Sequence, residues 1–324
     1  MVADWRCLAW IGGGDARHLC AAPDQIRRFP HRPRRHAVIG MLIFVFVGAA
    51  IRCASADENP AALGGKYGLE ADVEGQANPW GLGFSAGAWY RDIYHKDESP
   101  LWNGLYVQGG GLVSLNPAYG QLGAYLEWMP ITVLQLHAQI DRYEYFGRDG
   151  SLLIFNDRNA RFGSRQISER HGQEQTSHAD RLLLQPTLQG EFGRYVVVDQ
   201  ASYVYYAFSR DGPYFWDQEY DTLLKKRDRL HANDLSLLYN FSPRYREEKL
   251  LVGPSFQVVH ATGADLTRER LGISLDYEPV ASKSVFGYLR YPRYYLQIGV
   301  NVEDRNRAGQ LYLLGGVGAD FDLN

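Results

Sequence analysis

The residues with the clearest chemical potential are His260 and Thr262, which lie two positions apart in a run of alternating apolar residues. Residues two positions apart on a β-strand point to the same face, so the imidazole can act as a base that activates the hydroxyl for attack on an ester. This hydroxyl belongs to threonine, and no third side chain can be assigned to orient the histidine. We therefore predict no catalytic residue and interpret His260 as a polar residue at the edge of an apolar face.

His137 and the acidic segment 211–228 are weaker candidates for a site. His137 lies between two glutamines on the polar face of a strand pattern, where a hydrogen bond inside the fold is preferred over a role as base or ligand. Segment 211–228 mixes aromatic and acidic residues, a composition that binds cations or sugars in some proteins. It lacks the glycine and the distal glutamate of a calcium loop, and a loop folded over the rest of the chain is the preferred interpretation.

Metal and cofactor chemistry has no other support in the sequence. His171 and His178 show no metal-ligand spacing, and there is no phosphate-binding loop and no zinc-protease motif. The three cysteines, Cys7, Cys20 and Cys53, all precede the segment that we expect to fold. We predict no metal site and no cofactor.

The elements that must position any site are strands. Apolar and polar residues alternate with period two in run after run, most clearly where Leu134, Leu136 and Ile140 oppose His137 and Asp141. A mean hydropathy of −0.33 excludes a bundle of membrane helices. Twelve strands are predicted, and ten or fourteen also fit: 66–73, 82–94, 102–115, 119–129, 131–146, 181–192, 195–209, 231–241, 250–262, 268–277, 293–303 and 309–323.

Two all-β folds fit such a pattern, a secreted sandwich and a transmembrane barrel. Sandwich strands are usually about five or six residues long, whereas these runs are longer and place charged and amide side chains consistently opposite the apolar face. The predicted fold is therefore an all-β, antiparallel transmembrane β-barrel. Aromatic residues near strand ends are interpreted as the girdles of a membrane interface: Trp80, Tyr90, Tyr94, Trp102, Trp128, Tyr143, Tyr145 and Phe146.

The first 65 residues are predicted to lie outside the barrel. An arginine-rich stretch precedes the apolar run 37–51, and small residues follow up to Ala56, a pattern typical of a secretory signal peptide cleaved after Ala56. Residues 1–26 fit no part of a signal and are interpreted as an upstream extension from a mis-assigned start codon. We divide the chain into 1–56 (signal peptide with that extension), 57–65 (short periplasmic lead) and 66–324 (barrel).

The C-terminal residues carry a resemblance to a known class. Gly318, Phe321 and Leu323 are spaced as a glycine followed by hydrophobic residues three and five positions on, which resembles the C-terminal assembly signal of bacterial outer-membrane β-barrel proteins. The chain departs from that pattern by ending in Asn324 and by having Gly316 where a polar residue is common. The resemblance implies location in the outer membrane of a Gram-negative bacterium and insertion by the outer-membrane assembly machinery.

The first functional hypothesis is a narrow porin-like transport channel for small hydrophilic solutes. The polar strand faces would line its lumen with more acidic than basic side chains, which favours cations weakly. Nucleic acid is excluded as a partner by the acidic balance of the barrel segment. The predicted lumen residues are Glu70, Gln108, Gln121, Glu127, Gln135, His137, Gln139, Asp141, Gln185, Glu191, Asp234, Arg270, Asp276, Arg293 and Glu303.

Two other functions remain open at this point. One is a lipid-acting enzyme at the outer leaflet, which would use His260. The other is a non-enzymatic structural or surface barrel, whose long extracellular loops 147–180 and 210–229 would contact a partner. In each case the expected partners are outer-membrane lipid, including lipopolysaccharide, and the assembly machinery.

Overall fold

The computed structural model describes residues 64–99, 101–242, 248–279 and 290–323. It confirms the predicted barrel: twelve antiparallel strands form one closed sheet. The predicted signal peptide, its cleavage site and residues 57–63 lie outside the described residues. The barrel strands are β1 (Gly64–Ala77), β2 (Gly81–His95), β3 (Leu105–Leu115), β4 (Tyr119–Ile131), β5 (Leu134–Phe146), β7 (Thr176–Phe192), β8 (Tyr195–Phe208), β11 (Arg227–Asn240), β12 (Lys249–Ala261), β13 (Leu266–Glu278), β14 (Arg290–Glu303) and β15 (Leu311–Asp322).

Each barrel strand pairs with its neighbours along the chain, and β15 closes the barrel on β1. The closing ladder runs from Gly68 opposite Asp322 to Ala77 opposite Leu313. It includes Gly318 opposite Asp72 and Phe321 opposite Leu69, and the Leu323 amide continues it by donating to the Tyr67 carbonyl at 2.9 Å. The three residues of the C-terminal signal therefore lie on or beside the strand that completes the sheet.

The two faces of the wall differ sharply in character. Leu122 and Ile140 are 64% and 62% exposed, whereas Gln139 and Asp141, the neighbours of Ile140, are 7% and 6% exposed. Alternation in this part of the wall therefore turns apolar side chains outward and polar side chains inward. Among the described residues, no helix is long and apolar enough to cross a membrane.

Three of the prolines inside strands, Pro186, Pro254 and Pro292, interrupt pairing in different ways. Pro186 interrupts the pairing of β7 with β8, and Pro254 interrupts the pairing of β12 with β11. The register of each pair of strands is the same before and after the interruption. Near Pro292 the register between β14 and β15 shifts, as it does at a β-bulge. Loss of one donor at Pro186 and Pro254 thus weakens a ladder without changing its register.

The two longest connections fold together into a compact plug against the inner wall. They contribute β6 (Ile154–Phe155), the short helix α1 (Ser164–Glu169), β9 (Tyr214–Asp217) and β10 (Thr222–Leu224), and the strands form a sheet in the order β10-β9-β6. The plug and the wall share one apolar core, which includes Leu153, Phe155, Phe215, Leu223, Leu224, Tyr206, Phe208 and Leu230.

Tyr143 and Tyr145 belong to this core, so their predicted place in a membrane girdle is wrong. They are 1% and 8% exposed and lie on the inward face of β5. The outward positions between and beside them hold Arg142 and Glu144, which are exposed. Polarity is thus inverted at this end of β5, because the inner face packs against the plug and the outer face meets water and lipid headgroups.

Candidate channel lumen and plug

Asp141 organises the inward face of β4, β5 and β7. The Gln121 and Gln139 amides donate to its Oδ1 at 2.9 and 2.7 Å, and Arg181 Nε donates to its Oδ2 at 2.7 Å. The buried carboxylate is satisfied by three donors, and the guanidinium neutralises its charge, as a buried ion pair requires. This predicted lumen residue therefore belongs to the structure of the wall.

Glu127 and His137 form a second inward cluster on β4 and β5. The Tyr106 hydroxyl donates to Glu127 at 2.5 Å, and His137 Nδ1 lies 3.6 Å from the other carboxylate oxygen. The His137 ring stacks on Tyr125 at 5.3 Å between centroids, and its Nε2 is 3.0 Å from the Gln139 amide oxygen. The imidazole is held by a hydrogen bond at Nε2, a polar contact at Nδ1 and ring stacking, which agrees with the preferred sequence interpretation.

A chain of hydrogen bonds then links β2 and β3 to β1 across the inside of the barrel. Arg91 donates to Gln108 at 2.6 Å, Gln108 donates to the Tyr125 hydroxyl at 2.9 Å, and that hydroxyl donates to Glu70 at 3.3 Å. Since β1 and β4 are not neighbours in the sheet, the contact between Tyr125 and Glu70 is possible only within the lumen.

Most of the other predicted lumen residues also pair inside the wall, each with a partner on another strand. Glu191 is exposed near the end of β7, away from these networks. Glu303 lies beyond a bulge and opposite Glu269, and it is exposed at the rim. The remaining pairs are Gln135 with Glu127, Gln185 with Ser202, Asp234 with Gln257, Arg270 with Asn301, and Asp276 with Arg293.

The two faces of the barrel wall thus suit two different environments. The inward side chains form hydrogen-bonded polar networks, whereas the outward face is an apolar belt with exposed Tyr67, Tyr90, Trp128 and Tyr195 and half-buried Tyr239 towards one end. A closed sheet leaves no unpaired edge and satisfies its backbone internally, which is the requirement for spanning a bilayer with strands. The chain is an outer-membrane β-barrel protein.

Comparisons with known proteins find only low similarity. No family model matches, and no curated protein sequence matches. The β domain of the Bordetella autotransporter BrkA aligns over 79% of this chain and 98% of its own, with 10% identity and a TM-score of 0.42. An outer-membrane channel from Pseudomonas putida F1 aligns over 82% and 100%, with 12% identity and a TM-score of 0.39. The KdgM porin, solved with oligogalacturonate, aligns over 79% and 99%, with 7% identity and a TM-score of 0.34.

The plug of this outer-membrane barrel is attached to the wall by charge as well as by apolar packing. Arg181, which already contacts Asp141, donates from Nη1 to Glu219 at 2.8 Å, and the Tyr143 hydroxyl donates to the same carboxylate at 3.0 Å. On the opposite side, Asp221 lies 3.2 Å from Arg307 of the β14–β15 connection, and both side chains are buried. No group of three or more potential metal ligands occurs among the described residues.

The plug should loosen as the pH rises, because of Asp217. Burial raises the pKa of Asp217 to about 7, and the negative charge of Glu219 adds to the shift. Between pH 4 and 7 the folded plug therefore holds a proton that the unfolded segment releases, so its stability falls as the pH rises through this interval. We expect faster protease cleavage of the plug loops at pH 8 than at pH 5 in the folded barrel.

Two variants test whether Asp217 causes the pH dependence of protease cleavage. Asp217→Asn should weaken the pH dependence of cleavage, since the amide keeps the contact from the Tyr220 backbone N–H and does not titrate. Asp211→Asn is the control: Lys226 lowers the pKa of the exposed Asp211, which titrates below this interval. An Asp217→Asn protein with the pH dependence of the parent would contradict the assignment.

Three inward residues that the sequence analysis missed are Asp72, Glu74 and Tyr295. Asp72 and Glu74 continue the inward parity of Glu70 on β1, and the predicted strand ended one residue before Glu74. The Tyr295 hydroxyl donates to Glu74 at 2.7 Å. Its ring lies across Gly316, where an added Cβ would be 2.5 Å from the hydroxyl oxygen, so the glycine in the C-terminal strand makes room for the tyrosine.

His260 faces outward, as the alternation predicted, but its hydroxyl partner differs. Nδ1 lies 3.1 Å from the Thr267 hydroxyl on β13, and Thr262 lies exposed in the turn that follows β12. His231 on β11 is directly opposite His260 in the register. His260 therefore contacts Thr267 on the neighbouring strand and not Thr262. The spacing of residues along one strand does not reveal such a contact.

Proposed function

We propose that this protein is a narrow, cation-preferring channel for small hydrophilic solutes, with the plug confining the path to the side of the lumen formed by β1. The observation that carries the proposal is a row of carboxylates, Glu70, Asp72 and Glu74, at every second position of β1. Such residues lie about 7 Å apart on one face of a strand. A row of this kind offers a cation successive binding sites of equal sign.

Two cavities lie along this row. The larger, of about 370 Å³, is lined by Asp72, Ser236, Ser274, Asp276 and Gln297, among others. The smaller, of about 100 Å³, lies between the wall and the plug. Its polar lining includes Glu74, Gln76, Asn116, Gln218 and Glu219.

Tyr295 lies between these two cavities. It lines the larger one, and its hydroxyl contacts Glu74, which lines the smaller one. In the proposed path a hydrated cation enters beside the plug, passes the Tyr295–Glu74 contact and reaches the larger cavity. The contact is then the narrowest point, which accounts for a channel restricted to small solutes.

The basic side chains near the path are paired with other groups, which supports a preference for cations, and this includes Arg293, which lines the larger cavity. Arg181 is bound by Asp141 and Glu219, and Arg293 by Asp276. Arg270 donates to Asn301 and lies 4.7 Å from the centroid of the Tyr312 ring. The carboxylates of β1 therefore dominate the field in the proposed path.

The proposed path can be tested by removing the charge of Glu74, which lies at its narrowest point. Glu74→Gln should reduce the ratio of K⁺ to Cl⁻ permeability at least about twofold, because it removes the carboxylate nearest the constriction. The readout is the reversal potential of the folded protein in a planar bilayer under a KCl gradient. Glu144→Gln, which removes an exposed carboxylate from the outward face, should leave the ratio unchanged. An unchanged ratio in Glu74→Gln would refute the proposed path.

A second candidate function, hydrolysis of outer-leaflet lipid, is favoured by the outward contact between His260 and Thr267. The imidazole would accept the proton of the hydroxyl as the oxygen attacks an ester carbonyl. Hydrolysis of phospholipid vesicles that is lost in both His260→Ala and Thr267→Val would support it. Equal rates in the parent and the variants would remove it, and a barrel that neither conducts nor hydrolyses would have the structural role.

A further inference from the structure

The outward face of β11 changes character along its length. At the C-terminal end of β11, the outward positions are Tyr239, Leu237 and Leu235, which match the apolar belt. The next four outward positions are polar or basic: Asn233, His231, Arg229 and Arg227. By contrast, the outward face of β4 is apolar or small from Trp128 to Gly120.

The depth of these residues follows from strand geometry. Tyr239 is half-buried and lies on the outward face at the end of the barrel opposite the plug, and Arg229 is ten residues away from it towards the plug end of the strand. Ten residues span about 33 Å along a strand, which is about 25 Å along the membrane normal at a tilt of about 40°. The apolar band of such barrels is also about 25 Å tall. Arg229 therefore lies at the outer boundary of the hydrocarbon, and Arg227 lies in the headgroup layer.

The charges of these two arginines are uncompensated within the protein. Across 64–99, 101–242, 248–279 and 290–323, neither guanidinium makes an ion pair or a side-chain hydrogen bond, and both residues are exposed. Asp228, the residue between them, is buried on the inward face. Arg142 on the same rim differs, because it contacts Asp180 at 2.8 Å and Glu144 at 3.2 Å.

The neighbouring outward side chains add hydrogen-bond donors to the pair. Tyr205 lies opposite Arg229 in the register between β8 and β11, and Tyr203 lies opposite His231 with 5.4 Å between the ring centroids. Leu235 and Leu237 continue the same face towards the membrane centre, where acyl chains lie. A ligand that fits has an anionic headgroup at the level of the arginines and hydrocarbon below it.

We propose that Arg227 and Arg229 form a binding site for the phosphate of an outer-leaflet lipid, namely the phosphorylated glycolipid anchor of lipopolysaccharide. Two guanidinium groups about 7 Å apart on one strand face can contact one phosphate from two sides, through charge-assisted hydrogen bonds. Arginine suits this role because its planar fork matches the oxygens of a phosphate. The site is separate from the lumen and does not depend on the proposed channel.

The test measures binding of lipid A by native mass spectrometry of the folded full-length mature protein in detergent. The variant is Arg227→Gln with Arg229→Gln, and Arg229→Gln alone is a milder second variant. Arg142→Gln is the matched control, since it also removes an outward arginine from the rim. Folding of every variant is checked by its heat-dependent shift on a denaturing gel.

The parent should bind one lipid A, and the double variant should lose about tenfold or more in affinity, with Arg229→Gln between them. Arg142→Gln should bind like the parent, and millimolar inorganic phosphate should not displace the lipid. Retention of affinity within twofold in the double variant would overturn the proposal. So would an equal loss in Arg142→Gln, displacement by free phosphate, or a dimer of the parent that the double substitution dissociates.

Discussion

Replacing residues 211–225 with a short glycine–serine linker is expected to raise the single-channel conductance several-fold. This segment contains β9 and β10, which fill the inside of the barrel beside β5, β8 and β11. It also contains Glu219, which lines the smaller cavity and binds Arg181. With the segment removed, the path widens from the cavity of about 100 Å³ towards the bore of a twelve-stranded barrel.

The measurement is the amplitude of unitary current steps in a planar bilayer. The control is the same linker inserted after Gly172, an exposed position with a φ of 91° in the other plug loop, which leaves the plug core intact. The control should conduct like the parent. Steps of unchanged size after removal of 211–225 would show that the plug does not restrict the path.

The second large effect is expected from Asp221→Asn, which should destabilise the plug by about 3–5 kcal/mol. Asp221 lies 3.2 Å from the fully buried Arg307 and accepts a hydrogen bond from the Trp216 indole at 3.1 Å. The amide keeps the shape and the indole contact but removes the carboxylate charge that is paired with the buried guanidinium. The readout is the unfolding transition of the plug, followed by calorimetry or by its protection from protease.

Two further variants separate charge from packing. Asp221→Asn combined with Arg307→Met removes both charges, and its stability should return to within about 1–2 kcal/mol of the parent. Arg165→Gln removes an exposed ion pair with Glu169 and should leave the stability nearly unchanged. If Asp221→Asn is no more harmful than Arg165→Gln, the buried pair has no part in holding the plug.

The twelve strands are predictable from the sequence because alternation is local. Each face of a barrel strand meets one solvent, so residues such as Leu136 and His137 reveal the strand without knowledge of its neighbours. The outward direction of His260 follows in the same way. Its contact with Thr267 does not, because the register between strands depends on turns and on the closure of the sheet.

The plug is the part that the sequence does not predict. Its strands are two to four residues long, too short for a period to appear, and its core depends on contacts between two connections far apart in the chain. One signal was present: Tyr143 and Tyr145 share parity with Gln139, whereas Arg142 and Glu144 share parity with Ile140. An aromatic inner face with a charged outer face indicates a wall that packs against protein within the barrel.

The residues of the proposed path are predictable from the sequence only in part, for a related reason. Glu70 lies in the clearest part of the β1 pattern, whereas Glu74 lies beside glycine and near the strand end, where alternation fades. Tyr295 has the same inward parity as the predicted lumen residue Arg293, but a ring on the inward face does not stand out when alternation is read only as polar against apolar residues.

The most direct test of the account is a recording from the unmodified, folded protein in a planar bilayer. The account predicts small unitary current steps with a reversal potential that favours K⁺ over Cl⁻, as a path along the carboxylates of β1 requires. Folded protein that inserts into the bilayer and produces no unitary steps, or steps that favour anions, would contradict it.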